Sequence, residues 1–204
     1  MRNLMISAMA VAGIIAGCAV ISADRGGPDV TVVMKSSFKQ NGQAGLDRLD
    51  QDDMQRLCSQ YENRPVPKDV AERLEREQQG LIKYPADGKY LGSFASGERI
   101  AQSGRGRQFS DDPANPVGAN CYACHELSKT EVSFGTIGPS LYNFGKIRGN
   151  TPEMQKYAYG KIYNSQAFSA CSNMPRFGHK AILNEQQIRD VVALLMDPAS
   201  PVNQ

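Results

Sequence analysis

The apolar positions of the chain form one solid run, two thin stripes and one full stripe. The solid run is LMISAMAVAGIIAGCAVISA, residues 4–23, uncharged and preceded by Arg2. The following DVTVVMKSSFKQNG holds no sustained period and reads as a linker or a loose strand. Over residues 45–61, Leu46, Leu49, Met54, Leu57, Cys58 and Tyr61 recur at partly helical spacing, which predicts an amphipathic helix with one thin apolar face. ENRPVPKD interrupts it with two prolines. A second helix is predicted over 68–79, where Glu72 and Arg76 stand at i,i+4 on a solvated face. Its apolar side is only Val70 and Leu74, with Leu81 just beyond, so it needs another surface to lean on.

From residue 93 the pattern tightens. SFASGERIAQSG predicts a short helix carrying Phe94, Ile100 and Ala101, and the polar loop RQFSDDPANPVGAN follows. LNEQQIRDVVALLMDP is the full stripe: Ile188, Val191, Val192 and Leu195 share one helical face. Asn184 is placed to cap it, Gln187 completes a capping box, and Pro198 stops it. The expected organisation is a leader at 1–23, a helical extension at 24–92 and a compact helical domain at 93–204.

Composition changes this picture little. The net charge is +2 and the basic residues form no runs, which argues against a nucleic-acid module. The N-terminal run changes it more, because it reads as a secretory signal with cleavage after Ala23. IAGC, residues 15–18, equally resembles a bacterial lipoprotein box in which the mature chain starts at a lipidated Cys18. A retained span is the third reading, weakened by the many Ala, Gly and Ser residues. All three take the chain out of the cytoplasm, with the periplasm as the expected compartment. There, Cys58 and Cys171 can pair or stay as buried thiols; sequence does not bring them together.

The chemistry concentrates in NCYACHELS. Cys121, Cys124 and His125 form C-x-x-C-H, the attachment signature of c-type haem. Two thiols three residues apart, at the start of a helix, reach the two vinyl groups, and the adjacent imidazole reaches the iron. A redox C-x-x-C is the first alternative, but it normally follows a strand in a βαβ unit, and none is predicted. Zinc is the second, and it would have to recruit His179 at odd spacing. For the iron's other side the candidate is Met174, in CSNMPRFG, where Pro175 and Gly178 favour a turn over helical packing. His179 is the rival, and an open sixth position the remaining option. Between the ligands, the Gly138–Pro139 turn offers a carbonyl that can accept from the second nitrogen of His125. Residues 141–183 carry six Lys or Arg against the single acid Glu153, a local excess that could steer an anionic partner.

CYACH, IGPSL, NMPRFG and LNEQQIRDVVALLM together resemble class I cytochrome c over about residues 94–198. The resemblance implies an all-α fold with crossing first and last helices, and one covalently bound haem c. Cys121 and Cys124 would be the thioether positions, His125 the proximal ligand, Met174 the distal ligand, and Pro139 the support of His125. SGERIAQSGRG, GTIGPSLYNFGKIRG, CSNMPRFGH and MDPASPVN further resemble the SoxX family, small monohaem subunits of periplasmic SoxAX cytochromes. That resemblance implies electron transfer within a thiosulfate-oxidising L-cysteine S-thiosulfotransferase. The implied partners are a SoxA-like larger cytochrome that holds the reactive cysteine, a SoxYZ-like carrier protein and a downstream electron acceptor. No catalytic residue is expected in this chain itself. A free-standing respiratory carrier would share the same haem domain, and a haem sensor or peroxidase would need an open sixth position.

Overall fold

The structure is a computed structural model that describes residues 29–61 and 64–204. The apolar run 4–23, with Cys18 and both cleavage points, lies outside the described residues. Among these, every extended element is helical: the only ladder is an isolated bridge between Asn41 and Ala44. Among the described residues no helix is long and apolar enough to cross a membrane.

The extension departs from the sequence expectation in two places. The first helix, α1 (Val30–Ser37), stands where a linker or loose strand was expected, because Asp29 accepts from the Thr31 amide and starts the turn. It buries no residue. The expected helix over 45–61 is split: a 3₁₀ turn at Leu46–Leu49 precedes α2 (Asp53–Gln60). The break falls at Asp52, which caps the Gln55 amide while the Gln55 side chain accepts from the Asp52 amide. A capping box fixes a helix start more firmly than a thin apolar stripe does. The next helix, α3 (Lys68–Gln79), occupies the expected residues. Its ion pairs are Lys68–Glu72 and Arg73–Glu77, in place of the expected Glu72–Arg76. Its buried positions are Leu74 and Gln78.

The core lies in the second part. There α4 (Phe94–Gln102) crosses the last helix. Between them come α5 (Phe144–Arg148) and α6 (Pro152–Tyr163), neither marked by a clear stripe. The last helix is α7 (Glu185–Met196), and it carries the expected Asn184–Gln187 capping box. The α6 sequence hides its helix because Ala158, Tyr159, Gly160 and Ile162 are buried on successive sides, which blurs the period. Its start is nonetheless signed by Thr151, which caps the Met154 amide, and by Pro152 at the first helical position.

Gly97 decides how close α4 and α7 come. A Cβ there would lie 2.1 Å from the Asp190 carbonyl oxygen and 3.0 Å from Leu194 Cβ, so the backbones touch through hydrogen. Asp190 secures the same crossing by accepting from the Ser93 amide at 2.8 Å, and the Gly92 amide donates to the Arg189 carbonyl. Ile188, Val192 and Leu194 are fully buried behind this contact. The connector before α4 joins the core too. Tyr84 and Tyr90 pack their rings on the buried Tyr159, at centroid distances of 6.0 and 5.6 Å.

The extension is tied to the far end of the chain. Cys58 on α2 forms a disulfide with Cys171 across 113 residues. Asp52 accepts from Arg176 at 2.5 Å and from Lys180 at 2.6 Å. On α3, Gln78 accepts from Asn164, Gln79 donates to the Ala167 carbonyl, and Glu75 accepts from the Ala170 amide. Burial alone would raise the Asp52 carboxyl, but Lys180, the Gln55 amide and Arg176 outweigh it and hold Asp52 well below its ordinary value.

Two outcomes test this frame. Gly97→Ala pushes a methyl into the α7 backbone and is expected to cost about 1–3 kcal/mol, read as a lower Tm. Asp52→Asn keeps the cap and removes the charge, and is expected to cost about 2 kcal/mol at neutral pH. Because the folded carboxyl titrates lower than the unfolded one, that contribution is complete above the ordinary carboxylate range and is lost as the pH falls. Urea titrations should therefore show the native and Asp52→Asn curves converging below about pH 4.

Candidate haem-binding site

Asn120 brings the chain into the site with left-handed backbone, φ +48°, which asparagine tolerates better than most residues. Cys121–Ala123 then form one 3₁₀ turn, and the His125 amide donates to the Cys121 carbonyl at 3.0 Å. No helix continues from there, unlike the helix start expected from the motif. The reason is a second strand of chain that stitches itself to the turn: the Gly135, Gly138 and Leu141 amides donate to the carbonyls of Tyr122, Cys124 and Glu126. These bonds set the Gly138–Pro139 turn against His125.

The His125 ring is fixed by that turn. Its Nδ1 lies 2.7 Å from the Pro139 carbonyl oxygen. A carbonyl only accepts, so Nδ1 carries the proton and the lone pair of the neutral ring is on Nε2. Gly138 makes the approach possible, because a Cβ there would stand 2.2 Å from His125 Cε1. The expected support of His125 by Pro139 is thus present, and the ring offers a metal one nitrogen, Nε2.

The thiols are suited to attachment. Cys121 and Cys124 are not joined to each other. Desolvation pushes the Cys121 thiol up to about 12, with Cys124 and Glu98 adding to the rise. A redox C-x-x-C uses a depressed thiol pKa, and burial moves Cys121 the other way. Among the described residues no group of three or more His, Cys, Asp or Glu side chains converges to hold a metal ion, which leaves the zinc alternative without a ligand set.

One residue inside the motif went unnoticed in the sequence. Tyr122 is buried, and its hydroxyl donates to Glu98 on α4 at 3.0 Å, with Ser128 at 3.3 Å. Burial raises the Glu98 carboxyl despite the hydrogen bonds from Tyr122 and Gln102. Tyr122 thereby ties the cysteine turn to the helix that crosses α7. The middle positions of C-x-x-C-H carry no fixed chemistry, so the motif alone gave no signal for it.

Met174 is partly buried against the same apolar core that Cys121 and Tyr163 border. Its carbonyl accepts from the Ser165 hydroxyl at 2.5 Å. His179, the rival, has its amide bonded to the Tyr163 carbonyl. Its imidazole is held below the ordinary value by burial and by Arg176 and Lys180. Both are half-buried in one stretch of chain. The expected basic surface is smaller than its sequence suggested. Arg176 is only 6 % exposed and, like Lys180, is paired with Asp52. Lys161 bonds the Ser165 carbonyl and sits over the Phe168 ring. Lys146 and Arg148 on α5 remain exposed.

The model of the family "Cytochrome c" matches residues 103–197, which contain the CYACH turn, the Pro139 turn, the Met174 loop and all of α7. The chain is also 37% identical over 155 residues to an uncharacterized lipoprotein of Aquifex aeolicus, an alignment covering 75% of this chain and 73% of that one. Gly138→Ala should displace the His125 ring from Pro139 and lower the yield of covalently haem-loaded protein roughly tenfold, measured by haem stain against total protein. With His125 presenting Nε2 beside two unpaired thiols, and with the family match over 103–197, the chain contains a cytochrome c domain and carries covalently bound haem c with its iron.

Proposed function

We propose that this chain is an exported, lipid-anchored, one-haem electron carrier. In it Cys121 and Cys124 form the thioether links, His125 is the proximal ligand and Met174 the distal one. The observation that carries the reading is the His125–Pro139 hydrogen bond, which commits Nδ1 and frees Nε2 for the iron. Haem supplies one-electron exchange between the ferric and ferrous states. The chain's own contribution is to hold and orient. Pro139 keeps the proximal ring at one angle, Tyr122 anchors the cysteine turn, and the core against Met174 keeps water away from the thioether. A methionine sulfur in the sixth position favours the ferrous state and fills the coordination shell, which suits electron transfer over substrate binding.

Export is supported by the Cys58–Cys171 disulfide, since such bonds persist in oxidising compartments. Anchoring at Cys18 is supported by the IAGC box and by the name of the Aquifex relative.

A second reading, favoured by the extension, makes the chain the electron-transfer subunit of a thiosulfate-oxidising complex. The Aquifex alignment is longer than segment 93–204 and so reaches back into the extension, which a simple shuttle does not need. In this reading a SoxA-like cytochrome supplies the reactive cysteine, and thiosulfate is joined oxidatively to a cysteine of a SoxYZ-like carrier. The two electrons released leave through haem to a downstream acceptor. Among the described residues no cysteine is left over as a nucleophile: Cys58 and Cys171 are bonded together and Cys121 and Cys124 are taken by haem.

Met174→Leu should abolish the sulfur-to-iron charge-transfer absorption of the ferric protein and lower its reduction potential; an unchanged spectrum removes Met174 as ligand. Cys18→Ser should move the protein from the membrane to the soluble fraction. Affinity capture from solubilised membranes separates the two readings. Recovery of a larger cytochrome with a sulfur-modified cysteine supports the complex, and recovery of this protein alone supports the free carrier.

A further inference from the structure

Met174 sits in a loop whose two ends are held in backbone that their residues disfavour. Cys171 has φ +59° and Ala181 has φ +49°, both left-handed without being glycine. Such positions persist only where the surroundings over-determine them. At the first end the surroundings are the disulfide to Cys58; at the second, Arg107 donates to the Ala181 carbonyl. Within the loop Arg176, nearly buried, donates to Asp52, and Lys180 pairs with the same carboxylate.

Two of these ties come from one short helix of the extension. Asp52 caps α2, and Cys58 lies in that helix about one and a half turns later. Packing does not replace them: α2 buries only Met54. Between α2 and the loop lies a cavity of about 410 Å³, bordered by Gln55 and Ser59 on one side and Met174 and Arg176 on the other. A helix that meets its neighbour across a cavity is held by its point contacts.

We propose that the extension is a clamp on the distal side of the haem, with Asp52 and the Cys58–Cys171 bridge as positioning groups that keep the Met174 sulfur in place. This rests on Met174 being the distal ligand. The extension then acts on the haem without touching it: α2 pulls on both the start of the loop and its middle, so the sulfur cannot swing out unless one tie gives way.

The test is imidazole binding to the ferric, haem-loaded full chain, followed by loss of the sulfur-to-iron absorption. Imidazole enters only when the loop opens, so its rate reads the clamp. Asp52→Asn keeps the helix cap and should speed binding roughly tenfold. The double variant Cys58→Ser with Cys171→Ser should do at least as much, and both should lower the reduction potential. Asp87→Asn breaks an ion pair to Arg189 away from the loop and should leave the rate unchanged. If the double variant does not fold, reducing and alkylating the bridge in the folded native protein asks the same question. Native rates in Asp52→Asn and in the bridge-free protein, with the Met174→Leu absorption lost, overturn the clamp and leave the ligand in place. An intact absorption in Met174→Leu overturns the ligand assignment, and the clamp with it.

Discussion

Pro139 gives His125 a carbonyl and has no amide hydrogen of its own to compete, so the imidazole has one available tautomer at this site. The rest of the haem site depends on that choice. With the proton on Nδ1, Nε2 carries a lone pair that a metal can use; with the proton on Nε2, the imidazole would present a donor there instead. Three backbone hydrogen bonds between the 135–141 stretch and the cysteine turn keep the carbonyl in reach. The absence of a side chain at Gly138 leaves room for the ring edge. A hydrogen bond from the far ring nitrogen to a carbonyl orients an imidazole and raises its basicity at once.

The cysteine turn is also coupled to the frame of the fold. Tyr122 reaches from the middle of the motif to Glu98 on α4, and α4 is locked to α7 by the contact at Gly97. A disturbance of the helix crossing is therefore transmitted to the attachment site through one hydroxyl. At the Met174 loop the coupling runs to a different body of sequence, because that loop is bound to α2 by an ionic tie and a covalent one.

Much of this was legible in the sequence where a residue type admits one use. The Asn184–Gln187 box and the stripe of α7 each combine spacing with chemistry, and both appear in the structure where the sequence placed them. The 68–79 helix was equally plain. The misses share a cause: local signals were outvoted or blurred by tertiary contacts. α6 buries residues around its girth and shows no period. α2 begins just after Asp52 because a capping box overrides the thin stripe before it. Arg176 looked like surface charge because its partner lies 124 residues away. The pairing of Cys58 with Cys171 was undecidable for the same reason, since nothing local records which distant segments meet.

The crossing of α4 and α7 also constrains how the molecule comes into being. One helix opens the haem domain and the other nearly closes it, and Gly97 meets Asp190 across almost the whole of that segment. Non-local contacts of this kind form late, since the intervening chain must first be brought to close the loop. The apolar interior thus stays unsealed until the final helix has been delivered. In a chain threaded through a membrane from its N-terminus, this order leaves the cysteine turn accessible to the attachment machinery before burial. The last helix is thus the element that closes the apolar interior beside the cysteine turn.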